Sequence, residues 1–263
     1  LLPNLSYFVG ASFPFTRLAD YSETVLMLPA QPTETQIATL LDMAARSGNA
    51  TGTALGHNRV LLGIPTAGAG PELLKDRDVL AVSGLNQHDF NRAILNDSPF
   101  VLHDSTLGVR ELTTWQRIKR WVVGDWGSDG LEADRYFSSN EAWRGFVSFP
   151  SPWNDARLVV LALGSNDEQL SRLHGDLTSA RINAGIRGDA AVITNENGVR
   201  SFRVGEQSPR GEMPAQMMVI WYANQHSAML AILGLVFGCI GGLTLFAWLR
   251  NRAKKRLDLD NRN

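Results

Sequence analysis

The chain has 263 residues, 44% of them hydrophobic and 19% charged, with a formal net charge of −1. That composition excludes a disordered chain, and the near-neutral balance excludes the global basic field of a nucleic-acid-binding domain. The single cysteine, Cys239, excludes an intrachain disulfide and a zinc site built from several thiolates.

The near-neutral sum hides an asymmetry. The tail Arg250–Asn263 holds 6 Lys/Arg and 2 Asp/Glu, leaving 19 and 24 in residues 1–249. An acidic body precedes a short basic end. The start, Leu1-Leu2-Pro3-Asn4-Leu5, lacks the positive n-region of a signal peptide and reads as a processed end inside a larger polypeptide.

The first apolar run, Glu23–Leu28, predicts a strand stopped by Pro29. Thr33 as N-cap with Gln36 three residues on makes a capping box. Ile37, Leu40, Leu41 and Ala44 then mark one helical face, and Gly48 is expected to end the helix. Arg59–Ile64 and Asp78–Val82 read as buried strands. In Glu111–Trp126, Leu112, Trp115, Ile118 and Val122 share a helical face bordered by Trp121 and Trp126, with Arg117, Lys119 and Arg120 off the stripe. A Trp-bearing apolar face with basic flanks fits a membrane interface, with lipid as its partner. An ordinary helix packed on the body is the competing reading.

Beyond it, Gly145–Phe149 and Arg157–Leu163 are strand-like. Asn166-Asp167-Glu168 opens a helix through about Leu177, with Leu170, Leu173 and Leu177 on one stripe. Ala190–Thr194 and Val199–Val204 flank Asn195-Glu196-Asn197-Gly198, a hairpin turn. Alternating strands and helices predict an α/β layer fold with a largely parallel sheet. Tyr136, Phe137, Trp143, Phe149 and Trp153 cluster in sequence; they are either core residues or a stacking platform for sugar rings.

From Met213 to Leu249 no Asp, Glu, Lys or Arg occurs. Ser227–Leu249 would form a helix of about 34 Å, against roughly 30 Å of hydrocarbon, too long for the alternative of a buried core helix. Arg250, Arg252, Lys254, Lys255 and Arg256 crowd its far side, so the positive-inside rule puts the tail in the cytosol and the body outside. Gly234, Gly238 and Gly242 recur every four residues and form a groove for another helix, from a second copy or a different protein. The competing reading is that glycine is simply common in membrane helices.

Motifs for chemistry are absent. Histidines 57, 88, 103, 174 and 226 include no i, i+4 pair, and Gly63–Gly70 is glycine-rich without the Gly-Lys-Ser/Thr of a P-loop. Arg252 and Arg256 match the spacing of a cyclic di-GMP-binding pair, but the companion Asp/Asn-x-Ser-x-x-Gly is missing. No catalytic residue, cofactor or metal is expected.

Four segments carry a resemblance: Phe13–Asp20 (FPFTRLAD), Leu28–Thr33 (LPAQPT), Arg135–Trp143 (RYFSSNEAW) and Trp221–His226 (WYANQH). Together they resemble the periplasmic B subunit of bacterial cellulose synthase, a family often labelled cyclic di-GMP-binding protein. The resemblance implies a flavodoxin-like α/β domain in two parts, 1–110 and 127–212, with an inserted interface helix at 111–126. A transmembrane helix at 227–249 and a basic cytoplasmic tail at 250–263 follow. It implies a non-catalytic, single-pass inner-membrane subunit, with nascent β-1,4-glucan and the catalytic A subunit as partners and no nucleic acid. Gly234, Gly238 and Gly242 would pack on the A subunit, and Trp115, Ile118, Trp121 and Val122 would seat the interface helix. A membrane-tethered cyclic di-GMP-binding regulator is the alternative.

Overall fold

A computed structural model describes residues 2–66, 68, 70–115, 117–118, 129–139, 141–206, 214–225 and 227–260. The chain divides into two compact units, Leu1–Glu111 with Ser128–Arg210, and Leu112–Gly127 with Gly211–Asn263.

In the first unit, helix α1 (Leu5–Ala11) starts at Asn4, whose side chain accepts the Ser6 amide. Strand β1 (Thr24–Leu28) is buried throughout. Helix α2 (Glu34–Thr51) opens on the expected capping box: Gln36 N donates to Thr33 Oγ1 at 3.3 Å, and Thr33 N to Gln36 Oε1 at 3.1 Å. Gly48 does not end this helix. It runs on to Thr51 and stops at Gly52, where φ of +70° supplies the left-handed cap.

The buried face of α2 is also rotated from expectation. Leu40 and Ala44 are buried, but Ile37 and Leu41 are 42% and 62% exposed. The rotation is fixed from the opposite flank. There Arg46 donates to the carbonyls of Leu177 and Val9, and Asp42 lies 3.2 Å from His174.

Strand β2 (Arg59–Leu62) departs from the predicted buried strand. It pairs only with β1 at the sheet edge, so Val60 and Leu62 are 59% and 63% exposed. Helix α3 (Gly70–Lys75) leads to β3 (Asp78–Gly84), buried at every position, and then to helix α4 (His88–Ile94). Strands β4 (Phe100–His103) and β5 (Thr106–Val109) form a separate antiparallel pair. Helix α5 (Asp129–Phe137) precedes the long strands β6 (Trp143–Ser151) and β7 (Asn154–Gly164). The single helix expected after Asn166 is divided at Arg172 into α6 (Asp167–Ser171) and α7 (Leu173–Thr178), with Leu170, Leu173 and Leu177 all buried as the stripe predicts. Helix α8 (Ala180–Gly185), β8 (Ala190–Thr194) and β9 (Gly198–Phe202) complete the unit, and Gly198 turns the last hairpin at φ +69°.

The main sheet has seven strands in the order β2-β1-β3-β7-β6-β8-β9. The fold is mixed α/β, but the sheet is parallel only from β2 through β7; β6, β8 and β9 each run antiparallel to the neighbour before them. Connection length explains the departure from a largely parallel sheet. Two residues join β6 to β7 and three join β8 to β9, and such turns can only reverse the chain, whereas a parallel pair needs a crossover of a dozen residues or more.

Side chains alternate between two cores. Val25, Met27, Val79, Ala81, Val159 and Leu161 face α3, α4 and α5; Leu26, Leu28, Leu80, Val82, Val160 and Ala162 face α1, α2, α6 and α7. Coverage on both faces explains the uninterrupted apolar runs of β3 and β7. In the second unit, α9 (Ala215–Gln225) is followed by α10 (Ser227–Asp260).

Candidate functional site

The apolar part of α10, Leu230–Arg252, has a mean hydropathy of 2.3 over a window with no residue buried, and it is the one candidate membrane span among the described residues. Leu233, Leu235, Phe237, Ile240 and Leu243 are all exposed. Such a surface on a helical stretch of 23 residues matches the hydrocarbon thickness and is unfavourable in water. Gly234, Gly238 and Gly242 lie on this helix, each with nothing within 4 Å of where a Cβ would stand. Four-residue spacing brings all three to one face. At the far end the Arg252 guanidinium lies 4.5 Å from the centre of the Trp248 ring, a pairing of cation and aromatic suited to an interface.

Trp115 and Ile118 fall in helical backbone and are 74% and 48% exposed. Trp121 and Val122 lie outside the described residues. The aromatic cluster is core rather than a platform: Phe137, Trp143 and Phe149 are buried, with the Phe137 and Trp143 rings 5.2 Å apart. Tyr136 and Trp153 pack partly buried against the same core.

The body carries charged groups that sequence reading missed. At the amino ends of β1, β3 and β7, buried Asp78 accepts from Leu158 N at 2.8 Å and lies 3.5 Å from Arg17 and 3.6 Å from Arg157. Burial raises its pKa, and the Leu158 amide and the two arginines counter that. Glu23 joins the cluster, its pKa lowered by the hydrogen bond from Arg157.

At the carboxyl ends of β7 and β8 sits a second buried charge, Arg144. It pairs in register with Gly164 on one side and Ile193 on the other. Its Nε and Nη2 donate to the two oxygens of Asp176 on α7, and its Nη1 donates to Gln169 on α6 at 2.8 Å and to Asn195 in the β8–β9 turn at 2.9 Å. Both charged side chains are under 10% exposed. Arg144 forms part of the lining of a groove of about 780 Å³ between the β8–β9 hairpin and the loop from α7 into α8. The carboxyl ends of strands in an α/β sheet are where such folds place ligands. The sequence signal for this feature is a lone arginine inside an apolar strand, flanked by Trp143 and Gly145.

Comparison with known proteins now places the chain. The family model for cellulose synthase BcsB, second FD domain, matches residues 1–162. The chain belongs to the cellulose synthase BcsB family. It is 28% identical over 267 residues to the cyclic di-GMP-binding protein of Escherichia coli K12, covering 99% of this chain and 32% of that protein. The cyclic di-GMP-binding protein of Salmonella typhimurium is 29% identical over 270 residues, covering 99% and 33%. The putative cellulose synthase 2 of Komagataeibacter xylinus is 28% identical over 270 residues, covering 99% and 17%. The chain therefore spans a third or less of the length of these relatives.

Proposed function

We propose that this BcsB-family chain is a non-catalytic, single-pass membrane subunit that supports the catalytic A subunit of a bacterial cellulose synthase and helps receive β-1,4-glucan. The exposed apolar span Leu230–Arg252 carries the reading, since its surface needs lipid or another helix to cover it. Arg250, Arg252, Lys254, Lys255 and Arg256 on one side favour a cytoplasmic tail and a periplasmic body. The β2-β1-β3 order with helices on both faces supports a flavodoxin-like origin for the parallel half. Trp115 and Ile118, together with Trp121 and Val122, seat an interface helix in lipid, and Gly234, Gly238 and Gly242 receive a helix of the A subunit.

Gly238→Leu separates the two roles of the span. Leucine is apolar, so insertion into the membrane is kept, but its side chain fills the helix groove. Membranes carrying the variant are expected to retain the chain while co-purification of the A subunit falls about tenfold, the equivalent of about 1.4 kcal/mol. Undiminished co-purification would remove the packing role from this face.

A second reading, a membrane-tethered cyclic di-GMP-binding regulator, is favoured by the names of the Escherichia coli and Salmonella relatives. Calorimetry of the full chain with cyclic di-GMP distinguishes it.

A further inference from the structure

We propose that the groove floored by Arg144 is a binding site for a neutral carbohydrate chain. The proposal rests on the reading of the chain as part of a cellulose synthase and deepens it. Charge decides the ligand class. Arg144 is cancelled by Asp176, and Arg172, also in the lining, by Glu168 at 2.7 Å. What remains is Arg181 and Glu196, one of each sign, whose side chains make no ion pair or hydrogen bond among the described residues. The groove is therefore close to electroneutral, and an oxyanion gains no net field there.

Its unclaimed hydrogen-bonding groups are of both kinds. Arg144, in the lining, has five N–H donors and uses four, leaving one unclaimed among the described residues. Asn195 gives its carbonyl oxygen to Arg144, so its amide N–H groups remain to be claimed. Arg181 donates and Glu196 accepts. A sugar hydroxyl is both donor and acceptor and matches this mixture without bringing a charge, whereas a phosphate brings net negative charge and mainly acceptor oxygens. Ile182 and Val199 offer apolar wall for the C–H faces of a pyranose ring. No aromatic side chain is in the lining, so the contact is weak and suits a chain that passes through rather than one that is retained.

The test is a ligand-observed NMR titration of the full chain in detergent micelles with cellohexaose, with inorganic phosphate added as a competitor. Arg181→Ala combined with Glu196→Ala removes two exposed, unpaired side chains and leaves the Arg144 network in place. The expected result is millimolar binding of cellohexaose, weakened about tenfold in the double variant and insensitive to phosphate. Absence of cellohexaose binding to the unaltered chain, undiminished binding to the variant, or displacement by phosphate each overturns the proposal. Co-purification with the A subunit is expected to be unaffected by these changes, so loss of the groove and loss of the anchoring role are told apart.

Discussion

Asp176→Ala is expected to destabilise the body by about 3–5 kcal/mol. The cause is the charge left behind. Arg144 is 6% exposed, and without Asp176 its guanidinium keeps only the neutral oxygens of Gln169 and Asn195. Removing one member of a buried pair costs far more than removing both. Arg144→Met together with Asp176→Leu is accordingly expected to recover most of the loss. Urea denaturation of the full chain in detergent micelles measures all of these variants. A loss below about 1 kcal/mol for the single substitution would contradict the buried-pair assignment.

The second large effect is a pH dependence centred on Asp189. Its backbone N–H donates to the Phe202 carbonyl, and its side chain accepts from Val204 N at 2.7 Å and Gly205 N at 2.6 Å. Burial pushes this carboxyl up from 3.8 to about 6, against the pull of those two amides and of Arg203. The folded state thus holds the proton more tightly than the unfolded chain. The stabilising contribution of the protonated form is full below pH 3.8 and declines as the pH rises to about 6. The decline amounts to about 3 kcal/mol. Asp189→Asn is expected to flatten this part of the stability profile, and subtracting the two profiles cancels the contributions of Asp78, Glu23 and the other carboxylates. A variant profile parallel to that of the unaltered chain would show that Asp189 does not titrate in this range.

Local signals in the sequence predict local structure well. The Thr33–Gln36 capping box, the hairpin at Asn195–Gly198 and the three-leucine stripe all depend on residues within a turn or two of each other. Gly48 misleads because one glycine costs a helix only about 1 kcal/mol, and the packing of α2 outweighs that. The chain ends the helix at Gly52, where a left-handed residue is needed. Ile37 and Leu41 mislead because the rotation of α2 is fixed by the contacts of Arg46 with Val9 and Leu177, far away in sequence. Arg144 is illegible for the same reason. Its partners lie 25, 32 and 51 positions away, so nothing near it announces that its charge is matched. The candidate site divides in the same manner: the span is readable from composition alone, and the groove exists only once α7, α8 and the β8–β9 hairpin meet.

The junction between the two halves of the sheet has a kinetic consequence. The β6–β7 and β8–β9 hairpins pair across short turns and join through β6–β8, Val147 to Ala190, but β3 must find β7 across 80 residues, Val79 to Val159. Closing so large a loop costs entropy before any contact repays it, so the two hairpins are expected to form first and template the parallel strands. Pulse-labelled hydrogen exchange during refolding should therefore protect Phe146 and Leu161 before Val25 and Leu26; the reverse order would place the nucleus in the amino-terminal half.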